Sequence, residues 1–342
     1  MSEPQDKSTD KSSADTPESS AAITVRSFNN FDVQAITDFW NIAQYPDYRS
    51  QPIEMDLFEQ MVLAKAYFDP KGLFVAFQND ELVGFAHAGF GPNDRYNSVD
   101  FRCGCIPMVC YNDSPECSAI LSALMDACEK YLLSHGVQQI QLGAVYPMAP
   151  FYLGLMKTSD LPGIFLKETK LIELAQQRGY HCGVRTAHYS RDTEGLDWAY
   201  TQQMRDMRLR YQVCMDFCPT PSNWWNAIAM NGISWSHFSL LDKELVGKRE
   251  SASVAHCSLW MLDELTSRVP TTIGMSHFYV IPSMRGRHLA LFMLTEILRG
   301  LMEQHIRRIQ VQINADQFEA INLIEKRGFE KYNESAVYVK DC

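Results

Sequence analysis

Val280-Ile-Pro-Ser-Met-Arg-Gly-Arg-His-Leu-Ala290 reads as the end of a strand, a short turn and the start of a helix. Upstream, Thr271 to Val280 is rich in β-branched and aromatic residues. Downstream, Leu289, Phe292, Met293, Ile297 and Leu301 recur at helical spacing, which sets the helix start near Arg287. The first backbone N–H groups of a helix have no internal partners, and the positive end of its dipole points beyond the loop. A phosphate or pyrophosphate suits that place. Gly286 and Ala290 would let such a group approach the backbone, and Arg285 and Arg287 add charge at its rim. The same residues also suit an ordinary strand-to-helix connection with a solvated basic turn.

Arg285-Gly-Arg-His-Leu-Ala290 resembles the Gln/Arg-x-x-Gly-x-Gly/Ala loop by which the GNAT acyltransferase superfamily holds the pyrophosphate of acetyl-CoA. The following elements are similar in order: strand Arg308 to Ile313, helix Gln317 to Lys326, and Lys326-Arg-Gly-Phe329 leading into a last strand, Ala336 to Lys340. The family's helix motif Asn-x-x-Ala-x-x-x-Tyr-x-x-x-Gly-Phe here reads Gln317-x-x-Ala320-x-x-x-Ile324-x-x-x-Gly328-Phe329. Three positions depart from the pattern: His288 stands for the loop's central Gly, Gln317 for the Asn, and Ile324 for the Tyr that often protonates the leaving thiolate. The resemblance implies an acetyl-CoA (or other acyl-CoA) site formed by Phe278, Val280, Arg285, Gly286, Arg287, His288, Leu289, Ala290 and Gln317. His288 is expected in right-handed helical geometry with its imidazole outward.

With 342 residues, 46% hydrophobic and 21% charged, the chain has the balance of a globular protein with two cores. A net charge of −10 argues against a general nucleic-acid or anionic-membrane binder. Residues 1–22 hold six Ser, five acidic residues and two Lys without a large apolar side chain after Met1, the composition of a disordered arm rather than a signal peptide. No apolar run is long enough for a membrane span. Ten cysteines without a C-x-x-C pair read as buried free thiols in a reducing cytoplasm, and no metal-ligand spacing is present.

In chain order, Ile23 to Phe28 is a strand and Asp32 caps a helix with Ile36, Phe39, Trp40 and Ala43 inward. Leu73 to Gln78 and Leu82 to Ala88 form a hairpin about Asn79-Asp80. A strand from Val99 reaches Ile106-Pro107, and a helix runs from Glu116 to Leu133. The loop between them, Met108 to Pro115, has no Gly, Arg or Lys, and its Asp113 would repel a pyrophosphate.

Three pairs suggest an internal repeat: Ile106-Pro107 with Ile281-Pro282, Val137 to Leu142 with Ile306 to Val311, and Gln177 to Tyr180 with Lys326 to Phe329, at offsets of 175, 169 and 149. The first half would then have the longer loop before its helix and an insertion of about twenty residues around Pro150 to Leu155 and Leu161 to Gly163. Ala187 to Ser190 is expected to open the second sheet and Asp197 to Phe217 to form a charged helix. Trp224, Trp225, Ile228 and Met230 suit either a core or the lining of an acceptor pocket. Strands follow at Ile233 to Leu240 and Val254 to Leu262.

The expected fold is α+β, with two tandem acyl-CoA N-acyltransferase (GNAT-like) domains and mixed central sheets flanked by helices. It divides into an arm at 1–22, a degenerate domain at 23–187 and an acyltransferase domain at 188–342, resembling tandem acetyltransferases of the mycothiol synthase type. The implied reaction is acyl transfer from acyl-CoA to a small-molecule or peptide amine. It needs a base for the amine, a donor for the carbonyl oxygen and a proton for the thiolate.

In this fold the donor is usually a backbone N–H where the fourth and fifth strands splay, here around Phe278 to Val280. His277 is the candidate base on that strand, with Asp263 and Glu264 as alternatives. Tyr279, Tyr332 or Tyr338 would stand in for the acid missing at Ile324, with Tyr338 as the candidate. The competing reading is a non-catalytic acyl-CoA-binding or protein-interaction module. Aminoacyl transfer from charged tRNA fits poorly with the acidic balance.

Overall fold

The computed structural model describes residues 22–43, 52–194, 201–247, 252–263 and 271–342. The expected arm, the start of the expected charged helix and Glu264 lie outside these residues, apart from Ala22 at the end of the arm.

The first half runs β1 (Thr24–Ser27), α1 (Val33–Ile42), α2 (Met55–Phe58), β2 (Leu73–Gln78), β3 (Glu81–Pro92), β4 (Val99–Tyr111), α3 (Cys117–Ser134), β5 (Gln139–Leu142), β6 (Ile164–Phe165), α4 (Thr169–Gln177) and β7 (His181–Asp192). The β2–β3 turn has Asn79 and Asp80 at φ 51° and 63°, the left-handed pair that suits a two-residue hairpin. Asp32 does not cap α1 through its side chain. Its carboxylate accepts from the Asn29 N–H and from Arg26, both at 2.7 Å.

The second half runs α5 (Gln202–Arg210), β8 (Tyr211–Phe217), α6 (Trp224–Met230), β9 (Trp235–Asp242), β10 (Ser253–Met261), β11 (Thr272–Val280), α7 (Leu289–Glu303), β12 (Arg308–Asn314), α8 (Phe318–Glu325) and β13 (Glu330–Asp341). The expected charged helix therefore ends at Arg210, and Tyr211 to Phe217 is extended because it pairs with β9 from Tyr211↔Asp242 to Phe217↔Ser236. Ala187 to Ser190 belongs to β7 and closes the first half, so the expected boundary between residues 187 and 188 falls inside a strand.

The expected two sheets are the two ends of one mixed sheet, ordered β1-β2-β3-β4-β5-β13-β7-β12-β11-β10-β9-β8, with β6 on β13. Only β4–β5 and β11–β12 are parallel. Each half contributes its first five strands in sequence, and the sixth place is taken by the other half's last strand. β13 lies against β5, and β7 lies against β12 over Thr186 to Asp192. β7 and β13 pair with each other at the centre. The halves have exchanged their final strands.

The parallel ladders fix the internal repeat. Cys103↔Gln139 and Thr272↔Arg308 are equivalent pairs whose residue numbers differ by 169, so Ile106 corresponds to Met275. The likeness between Ile106-Pro107 and Ile281-Pro282 is coincidental. β4 continues through Pro107 to Tyr111, and Pro107 sits where the β3–β4 register shifts between His87 and Gly89, so its missing N–H costs no ladder bond. The loop before the helix is then the shorter one in the first half, residues 112–116 against 281–288, opposite to expectation. The insertion lies at residues 143–163, before β6.

Three apolar clusters hold the sheet. One packs α3 and α4 against the first half and includes Ala336 and Tyr338 from β13; another packs α7 against the second and includes Ala187 and Tyr189 from β7. A third crosses between the halves, joining Phe151, Tyr152, Leu155 and Leu161 of the insertion to Trp260 and Leu262 of the second half. All ten cysteines are free; Cys105, Cys110, Cys117, Cys128 and Cys257 are buried, whereas Cys182, Cys218 and Cys342 are exposed, against expectation.

Candidate active site

Helix α7 starts at Leu289, and Leu289, Phe292 and Met293 anchor its apolar face in the core. The loop before it is exposed from Arg285 to His288. Gly286 has φ +75° with open space where a Cβ would stand, leaving the backbone approachable. The Arg285 guanidinium donates to the Val280 carbonyl at 3.1 Å and lies 5.5 Å from the centre of the Tyr279 ring. His288 differs from expectation. It is the N-cap rather than a first-turn residue, and its backbone is left-handed, φ 60° and ψ 15°.

Glycine would adopt the His288 conformation at no cost, while histidine carries a strain of about 1 kcal/mol. His288→Gly is therefore expected to raise the melting temperature by a few degrees and to tighten CoA binding by less than about tenfold. Thermal melts and calorimetric titration check both; a lower melting temperature would contradict the strain.

Below the loop, β11 and β12 stay paired only to Met275↔Val311. On the other edge, pairing with β10 passes from Ser276 to Tyr279, with a register shift between His256 and Ser258. His277 and Phe278 are thus outside both ladders, at a bulge where His277 has φ +53°. A cavity of about 330 Å³ opens at this splay, lined by His277, Phe278, Gln312, Asn314, Gln317 and Ile324 among others. Of the expected cofactor residues, Phe278 and Gln317 line it, and the loop 285–290 leads into α7, whose Leu294 also lines it. Val280 is back in the ladder opposite Ala255. At the first half's counterpart, Asp113 pairs with Lys170 at 2.5 Å and Glu116 precedes α3, so acidic groups occupy the turn that would face an anion.

His277 also lines a second cavity, of about 700 Å³, on the other side of the bulge. That cavity is built by both halves: Tyr96, Tyr146, Leu153 and Asp160 come from the first, and Asn226, Trp235, His237, His256 and Trp260 from the second. The Tyr146 hydroxyl donates to Asn226 Oδ1, and the Tyr146 ring meets His277 edge-on at 5.8 Å. His277 Nδ1 lies 2.9 Å from Ser276 Oγ. Desolvation, and then His256 and His237, lower the His277 pKa below the usual imidazole value, so the ring is neutral at pH 7.

α6 forms one wall of this cavity and is fastened by the first half. Trp225 Nε1 donates to the Pro147 carbonyl at 2.6 Å, and the buried Lys65 donates to the carbonyls of Ile228, Ala229 and Asn231 at 3.0, 3.2 and 2.7 Å. Burial lowers the Lys65 amine to about 8, while three carbonyl acceptors match the three donors of an ammonium at a helix C-terminus. Lys65→Met is expected to cost about 2 kcal/mol by stripping those carbonyls of their donor, and to raise the acceptor KM more than the acetyl-CoA Kd. Denaturant melts and steady-state kinetics measure these two effects.

The other expected groups are elsewhere. Tyr338 is buried in the first half's core, between Leu142 and Cys182, because β13 crosses to β5. Tyr332 donates to Gln310 Oε1 at 3.1 Å. Asp263 accepts from the Thr271 and Thr272 N–H groups at 3.0 to 3.3 Å. Tyr279 lies beside His256, ring centres 5.3 Å apart. Trp225 is fully buried, Trp224 is exposed, and Met230 lines the larger cavity. Asp160 and Tyr146 carry no sequence signal beyond their place in or beside the insertion. Among the described residues no group of three His, Cys, Asp or Glu is placed to hold a metal ion, and no helix is long and apolar enough to cross a membrane.

The fold recurs in proteins of known structure. Residues 209–329 match the family model described as Acetyltransferase (GNAT) family. A GCN5-related glucosamine N-acetyltransferase region of a fungal multi-domain β-N-acetylglucosaminidase superposes with a TM-score of 0.66 at 14% identity, over 95% of this chain and 39% of that one. A tandem GNAT protein from the clavulanic acid biosynthesis pathway gives 0.64 at 13% identity, over 94% and 98% of the two chains. A GCN5-related N-acetyltransferase from Sphaerobacter thermophilus gives 0.60 at 13%, over 93% and 95%. No curated protein matches the chain. The second half thus matches the GNAT family model, and the chain as a whole has the fold of tandem GNAT proteins.

Proposed function

We propose that the protein transfers an acetyl or other acyl group from acyl-CoA to an amine, with CoA held in the second half and the acceptor in the cavity between the halves. The observation that carries this is His277 at the β11 bulge, whose side chain lines both cavities. The pyrophosphate would rest on the loop from Arg285 to Ala290, with the pantetheine running along the β11–β12 splay past Phe278 and Gln317. The N–H groups of residues 277 and 278, outside both ladders, are the candidates to receive the carbonyl oxygen as it becomes negative.

A neutral His277 can take a proton from the attacking nitrogen and, being a stronger acid than ordinary imidazolium once charged, pass it to the departing thiolate. That route replaces the proton donor lost at Ile324. The left-handed His288 and the apolar Ile324 are what favour the second reading, an acyl-CoA-binding module without catalysis.

Titration with acetyl-CoA, CoA and longer acyl-CoAs tests the reading. Binding to the wild type with at least about thirtyfold loss in the double variant Arg285→Glu, Arg287→Glu, and an unchanged fold, is the expected result. Undiminished affinity in that variant would remove the loop from the site. Binding without any CoA release in the presence of amines would favour the second reading.

A further inference from the structure

The larger cavity has one carboxylate. Among its described lining residues only Asp160 is acidic and none is Lys or Arg, while Trp235, Trp260, Tyr96 and Tyr146 supply aromatic walls. Asp160 sits on the first half's insertion, and that loop is fixed across the interface. Its own N–H donates to Gln312 Oε1 at 2.5 Å, Gln312 Nε2 donates to the Leu161 carbonyl at 3.4 Å, and Gly274 of β11 runs so close to Ser159 that a Cβ there would meet Ser159 Cα at 2.9 Å. One Asp160 oxygen accepts from the Leu161 N–H at 2.7 Å. The carboxylate is therefore held in place, in the same cavity as His277.

We propose that Asp160 binds and deprotonates the acceptor, and that the acceptor is a primary amine with a single positive charge on a flat aromatic body. This rests on the acyl-transfer reading above. A single carboxylate matches a single ammonium, and aromatic walls favour a cation on an apolar body. A polycation would leave charges unpaired, and a phosphorylated or carboxylated acceptor would meet no cation and one repelling acid.

In the reaction, the ammonium gives one proton to Asp160, which releases it to solvent. The freed lone pair attacks the thioester carbon, the C–N bond forms, and the nitrogen's second proton passes to His277. The C–S bond then breaks and the thiolate takes that proton from His277. Acyl-CoA and an ammonium yield an amide, CoA thiol and one proton.

Burial raises the Asp160 pKa to about 7, against the backbone donors of Leu161 and Tyr146, with Tyr146, Tyr96, His237, His256 and His277 as the titratable groups around the cavity. Its folded pKa lies above the unfolded value, so the charged form costs stability that is lost as pH rises toward 7.

The test compares wild type and Asp160→Asn with acetyl-CoA and tryptamine as probes, and with spermidine and glucosamine as contrasts. Wild type is expected to prefer tryptamine, with kcat/KM falling as pH drops below about 7. Asp160→Asn should lose about a hundredfold in kcat/KM at neutral pH together with that acid limb. It should keep the acetyl-CoA Kd, and at pH about 8 it should melt at or above the wild-type temperature. Retention of kcat/KM within about threefold would overturn the role of Asp160, and a preference for spermidine or glucosamine would overturn the acceptor class. Failure of wild type to bind acetyl-CoA at all would instead overturn the acyl-transfer reading itself.

Discussion

Residues 22–192 produced alone are expected to show no cooperative melt, and residues 201–342 alone likewise, whereas the two produced together are expected to reassemble. Each fragment keeps its last strand but loses that strand's seat. β7 would be left without β12 and β13, and β5 would lose β13 along Gln139 to Leu142. The apolar clusters would open at the same time, because Ala336 and Tyr338 complete one and Ala187 and Tyr189 complete the other. Re-exposing a large apolar side chain costs about 1.5–3 kcal/mol, and a domain has only about 5–15 kcal/mol in total. Bare strand edges at the centre of a sheet also invite aggregation. Deleting residues 330–342 should disable the first half as thoroughly as the second. Circular dichroism melts and limited proteolysis decide the matter; a fragment that melts cooperatively within about 10 °C of the full chain would show that the strand exchange is dispensable.

His277→Asn is expected to lower kcat with acetyl-CoA and an amine acceptor by about a hundredfold to a thousandfold while leaving the acetyl-CoA Kd within about twofold. Asn tolerates the left-handed backbone at φ +53° and fits the space, but it cannot carry a proton. The loop from Arg285 to Ala290, where we place the pyrophosphate, lies beyond Val280, so the acetyl-CoA affinity is expected not to depend on the imidazole. The N–H groups of residues 277 and 278 remain available to the carbonyl oxygen, which is why some activity should survive. The readout is kcat against KM and Kd. A kcat within about threefold of wild type would assign the proton transfers to another group, and a matching loss of CoA affinity would make His277 a binding residue instead.

The turn that leads into α7, the order of strands and helices after it, and the acidic turn at the first half's counterpart were legible in the chain because each is local. Helical spacing from Leu289, the glycine at 286 and the acid at 113 have the same meaning wherever the rest of the chain lies. Phe278, Gln317 and His277 were also legible, as residues on elements whose order places them at the splay. Tyr338 was not, because its position depends on which β5 the last strand joins, and no residue in Glu330 to Asp341 encodes that choice by itself.

Tyr211 to Phe217 was read as the end of a helix since charged residues precede it and only pairing with β9 makes it a strand. The Ile-Pro likeness misled in the same way. Register is set by ladders between distant strands, and two identical residues can lie six positions out of step in it. His288 shows the limit at a single residue, because no local pattern in the sequence announces its left-handed backbone.

Sequence by itself determined the kind of fold and the strand-turn-helix on which the proposed nucleotide site rests, which follow from short-range periodicity and turn chemistry. Tertiary structure alone decided the exchange of strands, the union of two sheets into one, and the cavity between the halves with Asp160 in it. Those depend on contacts between residues more than a hundred positions apart, whose partners are selected by the packing of the whole sheet.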